Sequence, residues 1–259
     1  MKKTALAVAA HPDDIEFMMA GTLVLLKNHG YEIHYMNLST GNCGSIEYDS
    51  LTTTEIRLKE AQNAASILGA QFHGPICNDF EIFYELELLR KLTGVIRMVK
   101  PSVILTHSPS DYMEDHMNTS RLAVTAAFIR GVPNFPADHA AVNNYDCAVY
   151  HALPHSLLDP LRRKVIPEIF IDTSTVHATK REALQAHKSQ QNWLEDSQKM
   201  NSYIQAMENF SLTVGSMSNK FEHAEGWRRH LHFGFSEGGF DPLKELGACY
   251  LTNEDYKFE

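Results

Sequence analysis

The sequence is poor in cysteine and contains no long apolar run. Four of its 259 residues are cysteine, Cys43, Cys77, Cys147 and Cys249, and no two of them form a Cys-X-X-Cys pair. Scattered thiols of this kind argue against a disulfide framework and favour a reducing compartment, so we expect a cytoplasmic protein. No apolar run approaches the roughly 18 residues that a membrane-spanning helix needs, so we expect no membrane span.

Positive charge is also in deficit, because 23 Lys and Arg residues stand against 32 Asp and Glu residues, a formal net charge of −9. A nucleic-acid-binding protein needs a basic face, so we expect no nucleic-acid partner. Hydrophobic residues make up 44% of the chain, too many for a disordered protein. Without a linker in the sequence, we predict one domain over 1–259, in which 1–131 form the core and 132–259 complete the sheet and the pocket.

Strand and helix patterns alternate along the first 110 residues. The predicted strands are 4–10, 31–38, 71–77 and 102–107, and the predicted helices are 16–29, 54–68 and 84–100. This alternation predicts βαβ units and an α/β fold, a Rossmann-like three-layer sandwich with a mostly parallel central sheet. In such sheets, functional sites form beyond the carboxyl ends of the strands, so the residues that directly follow strands are the candidates.

The second half of the sequence is less regular. Its patterns predict strands over 147–152 and 165–172, one or two helices over 177–209, and a further helix over 219–232.

The segment His11-Pro12-Asp13-Asp14 directly follows the first predicted strand. An imidazole and a carboxylate can both bind Zn²⁺, and His11 and Asp14 share a side in a first helical turn. Asp13 points elsewhere and is suited to act as a general base toward a bound water. The alternative is that both aspartates only favour the positive N-terminus of the helix that begins near Ile15.

A catalytic zinc site needs a third protein ligand, and His116 is the candidate. It follows the fourth predicted strand, so a parallel sheet brings it to the same edge as His11 and Asp14. Asp115, its neighbour, is suited to orient a ligand histidine. Taken alone, His116 is more typical of a surface residue at the start of a helix.

Several motifs occur in a fixed order along the chain. They are Ala10–Glu16 (AHPDDIE), Ser39–Gly44 (STGNCG), Glu55-Ile56-Arg57 with Glu60, Asp79, Asp115-His116, His187–Gln190 (HKSQ) and Ala224–Arg228 (AEGWR). In this order they resemble the PIG-L/LmbE superfamily of zinc-dependent de-N-acetylases.

The resemblance implies a hydrolase that removes the acetyl group from an N-acetylglucosamine-type sugar conjugate. It implies a metal bound by His11, Asp14 and His116, with Asp13 as the general base. Zinc is the expected metal, although Fe²⁺ or Co²⁺ also suits a His-Asp-His site. The resemblance further implies a homo-oligomer, a trimer or a hexamer.

Arg57 and Asp79 match positions that help to hold the sugar in this superfamily. Each has a simpler reading from the sequence alone. Arg57 would be an exposed charge on a helix, and Asp79 would cap a loop.

The sequence departs from the superfamily at Met113, where many members carry a histidine that stabilises the oxyanion. A thioether cannot donate a hydrogen bond, so we expect a substitute donor. Tyr112 is adjacent in sequence, and His107 lies at the end of the fourth predicted strand. His187, which we also place among the substrate-binding residues, is the third candidate.

Other functions fit the sequence less well. A phosphoesterase commonly uses two metals, whereas the sequence offers ligands for one convincing site. Another amidase, or a sugar-binding protein without activity, would use the same ligands, but a pure binding protein has no need of a base at Asp13. A nicotinamide-binding enzyme would carry a Gly-X-Gly-X-X-Gly turn after the first strand, where the His-Pro-Asp-Asp segment stands instead.

Overall fold

The computed structural model describes residues 3–142, 145–190 and 203–256. The strands are β1 (Thr4–Ala9), β2 (Glu32–Asn37), β3 (Gln71–His73), β4 (Val103–Thr106), β5 (Ala148–Ala152), β6 (Ile169–Asp172), β7 (Ala224–Arg229) and β8 (Tyr250–Thr252). The helices are α1 (Asp14–Met18), α2 (Ala20–Asn28), α3 (Ser50–Leu68), α4 (Leu86–Val99), α5 (Glu114–Ile129), α6 (His177–Leu184) and α7 (Tyr203–Met217), with 3-10 segments at Ser174–Val176 and Pro242–Cys249. In these ranges no helix has both the length and the apolar character needed to cross a membrane.

One sheet contains all eight strands in the order β3-β2-β1-β4-β5-β7-β6-β8. Strands β3, β2, β1, β4 and β5 pair in parallel, and β7, β6 and β8 continue the sheet in antiparallel pairings. The predicted mostly parallel α/β sheet is therefore confirmed. The carboxyl ends of β1, β2, β4 and β5 lie along one edge, which is where the site forms.

Strand β1 shows why the sheet is covered on both faces. Ala5, Ala7 and Ala9 pack into one hydrophobic core, and Leu6 and Val8 pack into the other. This alternation follows the two-residue period of a strand that is buried on both sides. Helices α2, α3, α6 and α7 cover the first face, and α4 and α5 cover the second, giving the three layers.

The predicted helix over 16–29 is instead two helices, α1 and α2. The chain breaks at Met19, whose φ is −131°. The carboxylate of Glu225 on β7 accepts the backbone N–H groups of Gly21 (2.9 Å) and Thr22 (2.7 Å). A residue distant in sequence therefore accepts the backbone N–H groups at the start of α2, which a continuous helix would otherwise bond internally.

The predicted helix over 219–232 is wrong, because 224–229 form strand β7 between β5 and β6. Glu225 and Trp227, two residues apart, both reach α2, as expected for side chains on one face of a strand. The indole Nε1 of Trp227 donates to Thr22 Oγ1 at 2.9 Å. Within the predicted helical stretch 177–209, α6 and the start of α7 are present, and 191–202 lie outside the described residues.

Candidate metal and active site

The His-Pro-Asp-Asp turn connects β1 to α1 and is held by two neighbouring elements. The side-chain amide of Asn37, at the end of β2, donates to the His11 carbonyl. Arg57, from α3, donates to the Pro12 carbonyl at 2.6 Å. Within the turn, the carboxylate of Asp14 accepts the His11 N–H at 2.8 Å. Contacts from β2 and α3 therefore fix the backbone of the turn.

The three predicted metal ligands converge. Nδ1 of His11 lies 3.4 Å from Oδ2 of Asp14, and Nε2 of His116 lies 3.5 Å from Oδ1 of the same carboxylate. The three ligand atoms lie within 4.8 Å of one another. Tetrahedral ligands held about 2.0–2.2 Å from a zinc ion are roughly 3.3–3.6 Å apart. The residues present therefore fit a divalent cation of this size.

A carboxylate orients each ligand histidine from behind. Nε2 of His11 lies 3.0 Å from Oδ2 of Asp115, and Nδ1 of His116 lies 3.1 Å from Oδ1 of Asp111. Ligand histidines in metal proteins commonly donate their other ring N–H in this way, which fixes the ring and its tautomer. The role predicted for Asp115 agrees with this geometry. The equivalent role of Asp111 escaped the sequence analysis.

The electrostatics of the cluster favour a cation. Burial lowers the pKa of His11, but the hydrogen bonds to Asp115 and Asp14 outweigh it and raise the pKa to about 10. Burial likewise lowers the pKa of His116, and Asp14 and Asp111 reverse the direction, so that this pKa is also raised. Both histidines thus lie in a negative potential that stabilises positive charge.

Asp13 adopts an unusual backbone conformation beside these ligands. Its φ is 106°, a left-handed value that is costly for a residue other than glycine and that concentrates at functional sites. Although it precedes α1, its side chain caps no backbone N–H of that helix. Its carboxylate lies 3.4 Å from Nη2 of Arg57. Burial raises the pKa of Asp13 to about 6, although Arg57 opposes the change.

Arg57 is buried, with 2% of its surface exposed, so its reading as an exposed helix charge is wrong. Besides the Pro12 carbonyl, its guanidinium binds the carbonyl of Gly41 at 3.3 Å. A Cβ added at Gly41, where φ is +75°, would lie 2.7 Å from Cδ of Arg57, and one at Gly44 would lie 2.5 Å from its Nη1. The two glycines therefore allow the loop to approach the arginine closely. A contact between Arg57 and a sugar stays a prediction.

Asp79 organises the same loop. Its Oδ1 accepts from the Ser39 hydroxyl (2.7 Å) and the Gly41 N–H (2.8 Å), and its Oδ2 accepts from the Cys43 N–H (3.0 Å). This is the loop-capping role that the sequence left open. The side chain also lines the cavity described below, so its contact with a sugar stays a prediction.

Three side chains were expected to donate a hydrogen bond in place of Met113, and they lie in different places. Tyr112 lines the cavity, is 60% exposed, and its ring meets that of His116 edge-on at 5.6 Å. His107 is fully buried behind the site, where its Nε2 accepts a backbone N–H at 2.9 Å and its ring stacks on His116 at 4.1 Å. His187 is 1% exposed, and its Nε2 lies 3.4 Å from Glu16. Neither His107 nor His187 lines the cavity, so in this arrangement neither reaches a bound substrate.

The His-Lys-Ser-Gln motif is tied to α3. Both the backbone N–H (2.9 Å) and the hydroxyl (2.6 Å) of Ser189 donate to the carboxylate of Glu60. This contact brings Gln190 to the cavity wall. The motif that includes Glu60 and the His-Lys-Ser-Gln motif, which are distant in sequence, therefore contact each other.

A cavity of about 530 Å³ opens over the three candidate metal ligands. Its lining includes His11, Asp13, Asp14, Phe17, Met18, Cys43, Gly44, Arg57, Asp79, Phe80, Tyr112, Met113, His116, His155, Ser156, Gln190 and Tyr203. The sequence analysis missed His155, Tyr203 and the phenylalanines. A signal for His155 existed, because it follows β5 and so falls at the same edge of the sheet.

Residues 6–127 match the family model described as PIG-L, GlcNAc-PI de-N-acetylase. They belong to the PIG-L family. The matched segment carries the His-Pro-Asp-Asp turn, Arg57, Asp79 and His116, so it contains all three candidate metal ligands.

Relatives of this chain are named for different reactions. The diacetylchitobiose deacetylase of Thermococcus kodakarensis is 29% identical over 196 residues, 73% of this chain and 70% of that protein. The 4-oxalmesaconate hydratase of Pseudomonas putida is 29% identical over 198 residues, 73% of this chain and 75% of that protein. The crystal structure of a 4-carboxy-2-hydroxymuconate hydratase from Pseudomonas putida KT2440 superposes with a TM-score of 0.71 at 26% identity, covering 88% of this chain and 95% of that one. Similarity alone therefore does not select the reaction, and the site must decide.

Proposed function

We propose that this chain is a metal-dependent de-N-acetylase acting on a neutral N-acetylglucosamine-type sugar conjugate. The observation that carries the proposal is the position of Asp13, which faces the cavity beside the converging ligands His11, Asp14 and His116. Zinc is the metal that this donor set suits best, and Fe²⁺ or Co²⁺ would be accepted by the same residues.

The protein groups divide the chemistry between them. A divalent cation held by the three ligands would lower the pKa of a water molecule and polarise the acetyl carbonyl. The carboxylate of Asp13 accepts a proton from the attacking water as its oxygen bonds to the carbonyl carbon. Asp13 then returns that proton to the amine nitrogen as the C–N bond breaks, leaving acetate and a free amine. Burial raises the pKa of Asp13 above its ordinary value, which favours a carboxyl group that can hold a proton and return it.

The second candidate is a hydratase, which the similarity to 4-oxalmesaconate hydratase favours. Both reactions begin with an activated water, but a substrate of that name carries several carboxylates and needs cationic partners. Among the described residues that line the cavity, Arg57 is the single Arg or Lys. Its Nη1 and Nη2 already bind the carbonyls of Gly41 and Pro12, and Nη2 faces Asp13. The cavity is therefore better matched to a neutral substrate.

The aromatic walls also support a sugar. Phe17, Phe80, Tyr112 and Tyr203 line the cavity and offer flat apolar surfaces to the C–H faces of a pyranose ring. Phe80 and Tyr112 are 63% and 60% exposed and stand at the mouth, where the group attached to the sugar would lie.

The test compares two reactions on one preparation. Metal-free protein, with and without added Zn²⁺, is incubated with N-acetylglucosamine, diacetylchitobiose and an inositol conjugate of N-acetylglucosamine, and acetate is measured. A parallel assay follows the loss of conjugated C=C absorbance with 4-oxalmesaconate. We expect zinc-dependent acetate release, whereas hydration without acetate release would replace the proposal with the second candidate.

The variant Asp13→Asn tests the base, since asparagine tolerates a positive φ better than alanine does. We expect it to retain the metal and to lose about 10²–10⁴-fold in turnover. Glu114→Gln, which removes an exposed carboxylate two residues from His116, is the matched control. Undiminished acetate release by Asp13→Asn would refute the assignment of the base.

We also propose a homo-oligomer, a trimer or a hexamer, in the cytoplasm, and both stay predictions. The exposed side chains of Phe128 (51%), Leu231 (61%) and Phe233 (68%) line one shallow apolar groove that assembly would cover. Light scattering coupled to size-exclusion chromatography measures the state directly.

A further inference from the structure

One position beside the candidate metal ligands lacks a hydrogen-bond donor. Met113 precedes α5 and lines the cavity, but its thioether has no proton to donate. His107 and His187 lie behind the wall. Hydrolysis of an amide develops negative charge on the carbonyl oxygen, and a donor placed there lowers the barrier. The proposed function therefore requires a donor from elsewhere in the cavity.

His155 is placed to be that donor. It lies three residues beyond the end of β5 and shares the cavity wall with Met113 and His116. Its ring packs on Phe17, which belongs to the helix that Asp14 begins, with ring centroids 4.3 Å apart. The same ring also stacks on Phe210 at 6.4 Å. Two aromatic contacts therefore hold the imidazole at the wall.

The protonation state of His155 suits donation without proton transfer. Burial lowers its pKa, and the opposing effect of Asp14 does not restore it, so the ring is neutral near pH 7. A neutral imidazole carries one N–H donor and one acceptor nitrogen. Within residues 3–142, 145–190 and 203–256, no hydrogen bond engages either ring nitrogen of His155, so its N–H is available to a ligand.

We propose that His155 donates a hydrogen bond to the acetyl carbonyl oxygen and stabilises the charge that develops there, in place of a donor at Met113. This inference rests on the proposed deacetylase function. As water attacks, a C–O bond forms and the π electrons of the C=O bond move to oxygen. The N–H of His155 stays on the imidazole throughout, and Asp13 carries the proton that reaches the amine.

The first test combines loss and rescue. His155→Ala should lower kcat by about 10²–10³-fold, with a smaller change in KM and an unchanged metal content. His155→Gln, whose side-chain amide can donate, should retain more activity than alanine. Adding Met113→His to His155→Ala should restore activity at least tenfold, because it returns a hydrogen-bond donor to the cavity lining. His29→Ala, at the exposed end of α2, is the control variant.

The second test does not depend on turnover. Methylphosphonate is a tetrahedral anion of the size of the acetyl group, and its affinity for zinc-loaded protein is measured by calorimetry. We expect His155→Ala to weaken its binding at least tenfold while zinc affinity, measured by chelator competition, is unchanged. Circular dichroism and urea unfolding verify that each variant folds.

The two tests separate the failure of this inference from failure of the proposed function. Absence of acetate release by the wild-type protein, with phosphonate affinity still dependent on His155, would reject the deacetylase and support the donor. Acetate release by His155→Ala within threefold of wild type, or phosphonate affinity that does not change, would overturn the assignment. A large loss in Tyr112→Phe alone would transfer the role to that tyrosine.

Discussion

The interaction between Glu225 and Lys180 gives the sharpest stability prediction. Both side chains are fully buried, and Nζ of Lys180 lies 2.6 Å from Oε1 of Glu225. The same carboxylate accepts the N–H groups of Gly21 and Thr22, so one acid neutralises a buried cation and caps α2. Removing its charge leaves the lysine ammonium buried without a partner.

The size of the effect follows from that arrangement. Breaking a buried ion pair by removing one partner costs about 3–5 kcal/mol. Glu225→Gln keeps an oxygen that can accept an N–H from α2, so we expect it to lower the free energy of unfolding by about 3 kcal/mol. Lys180→Met should cost a similar amount, because it leaves the carboxylate uncompensated. The double variant Glu225→Gln/Lys180→Met should be destabilised by less than the sum, with a coupling of at least about 2 kcal/mol.

Urea unfolding, followed by circular dichroism, measures the four free energies of a double-mutant cycle. Glu87→Gln, which breaks the exposed pair with Lys91 on α4, is the control and should leave the midpoint unchanged. Additive losses, or a loss below about 1 kcal/mol for Glu225→Gln, would refute the reasoning, since an unpaired buried lysine cannot cost so little.

Three further predictions concern single positions. Gly41→Ala should lower turnover and retain the metal, because the added Cβ would lie 2.7 Å from Cδ of Arg57. The control is Gly74→Ala, which has open space around it and should match the wild type. Equal activities of the two variants would contradict this prediction. Phe80→Gly should raise KM for the larger conjugates. The free energy of unfolding should stay equal or rise by about 1 kcal/mol, because Phe80 is exposed and strained at a φ of 63°. A clear loss of stability in urea would contradict this prediction. Burial lowers the pKa of His151 to about 4, so as pH falls from about 6.5 toward 4 the unfolded chain binds a proton at this ring before the folded protein does. The free energy of unfolding should therefore fall by about 3 kcal/mol over this range. Urea midpoints between pH 7 and pH 4 should therefore fall less steeply in His151→Gln, and parallel slopes would argue against the effect.

The convergence of the three candidate metal ligands could be predicted because each follows a strand whose position the sequence makes plain. His11 and Asp14 come directly after β1, and His116 comes after β4, which pairs with β1 in parallel. The topology of a parallel sheet then brings them to one edge without knowledge of any side-chain contact. The same rule, applied to β5, would have found His155.

The buried arginine of α3 was harder to predict. Arg57, Glu60, Ala61 and Ala64 are all buried and recur at helical spacing on one face of α3. The two charged residues made this face of α3 resemble a solvent-exposed one in the sequence. In the fold, Arg57 binds backbone carbonyls and Glu60 binds Ser189. Charges whose partners are distant in sequence leave no local signal of burial.

Strand β7 was read as a helix for a similar reason. Its Glu225 and Trp227 obtain their partners from α2, some 200 residues earlier, with sequence separations of 204 to Gly21 and 205 to Thr22. Local propensity cannot register such contacts, and tertiary structure overrides it. The break of the predicted first helix at Met19 is the other consequence of the same interaction.

The side chains that line the cavity come from two parts of the chain. All three candidate ligands and Asp13 belong to residues 6–127, the segment that matches the PIG-L family. The later part of the chain supplies His155, Gln190 and Tyr203 to the wall, and Tyr203 forms a hydrogen bond with Asp13. Exchanging wall residues while leaving His11, Asp14 and His116 intact should therefore change the substrate accepted before it changes the metal bound.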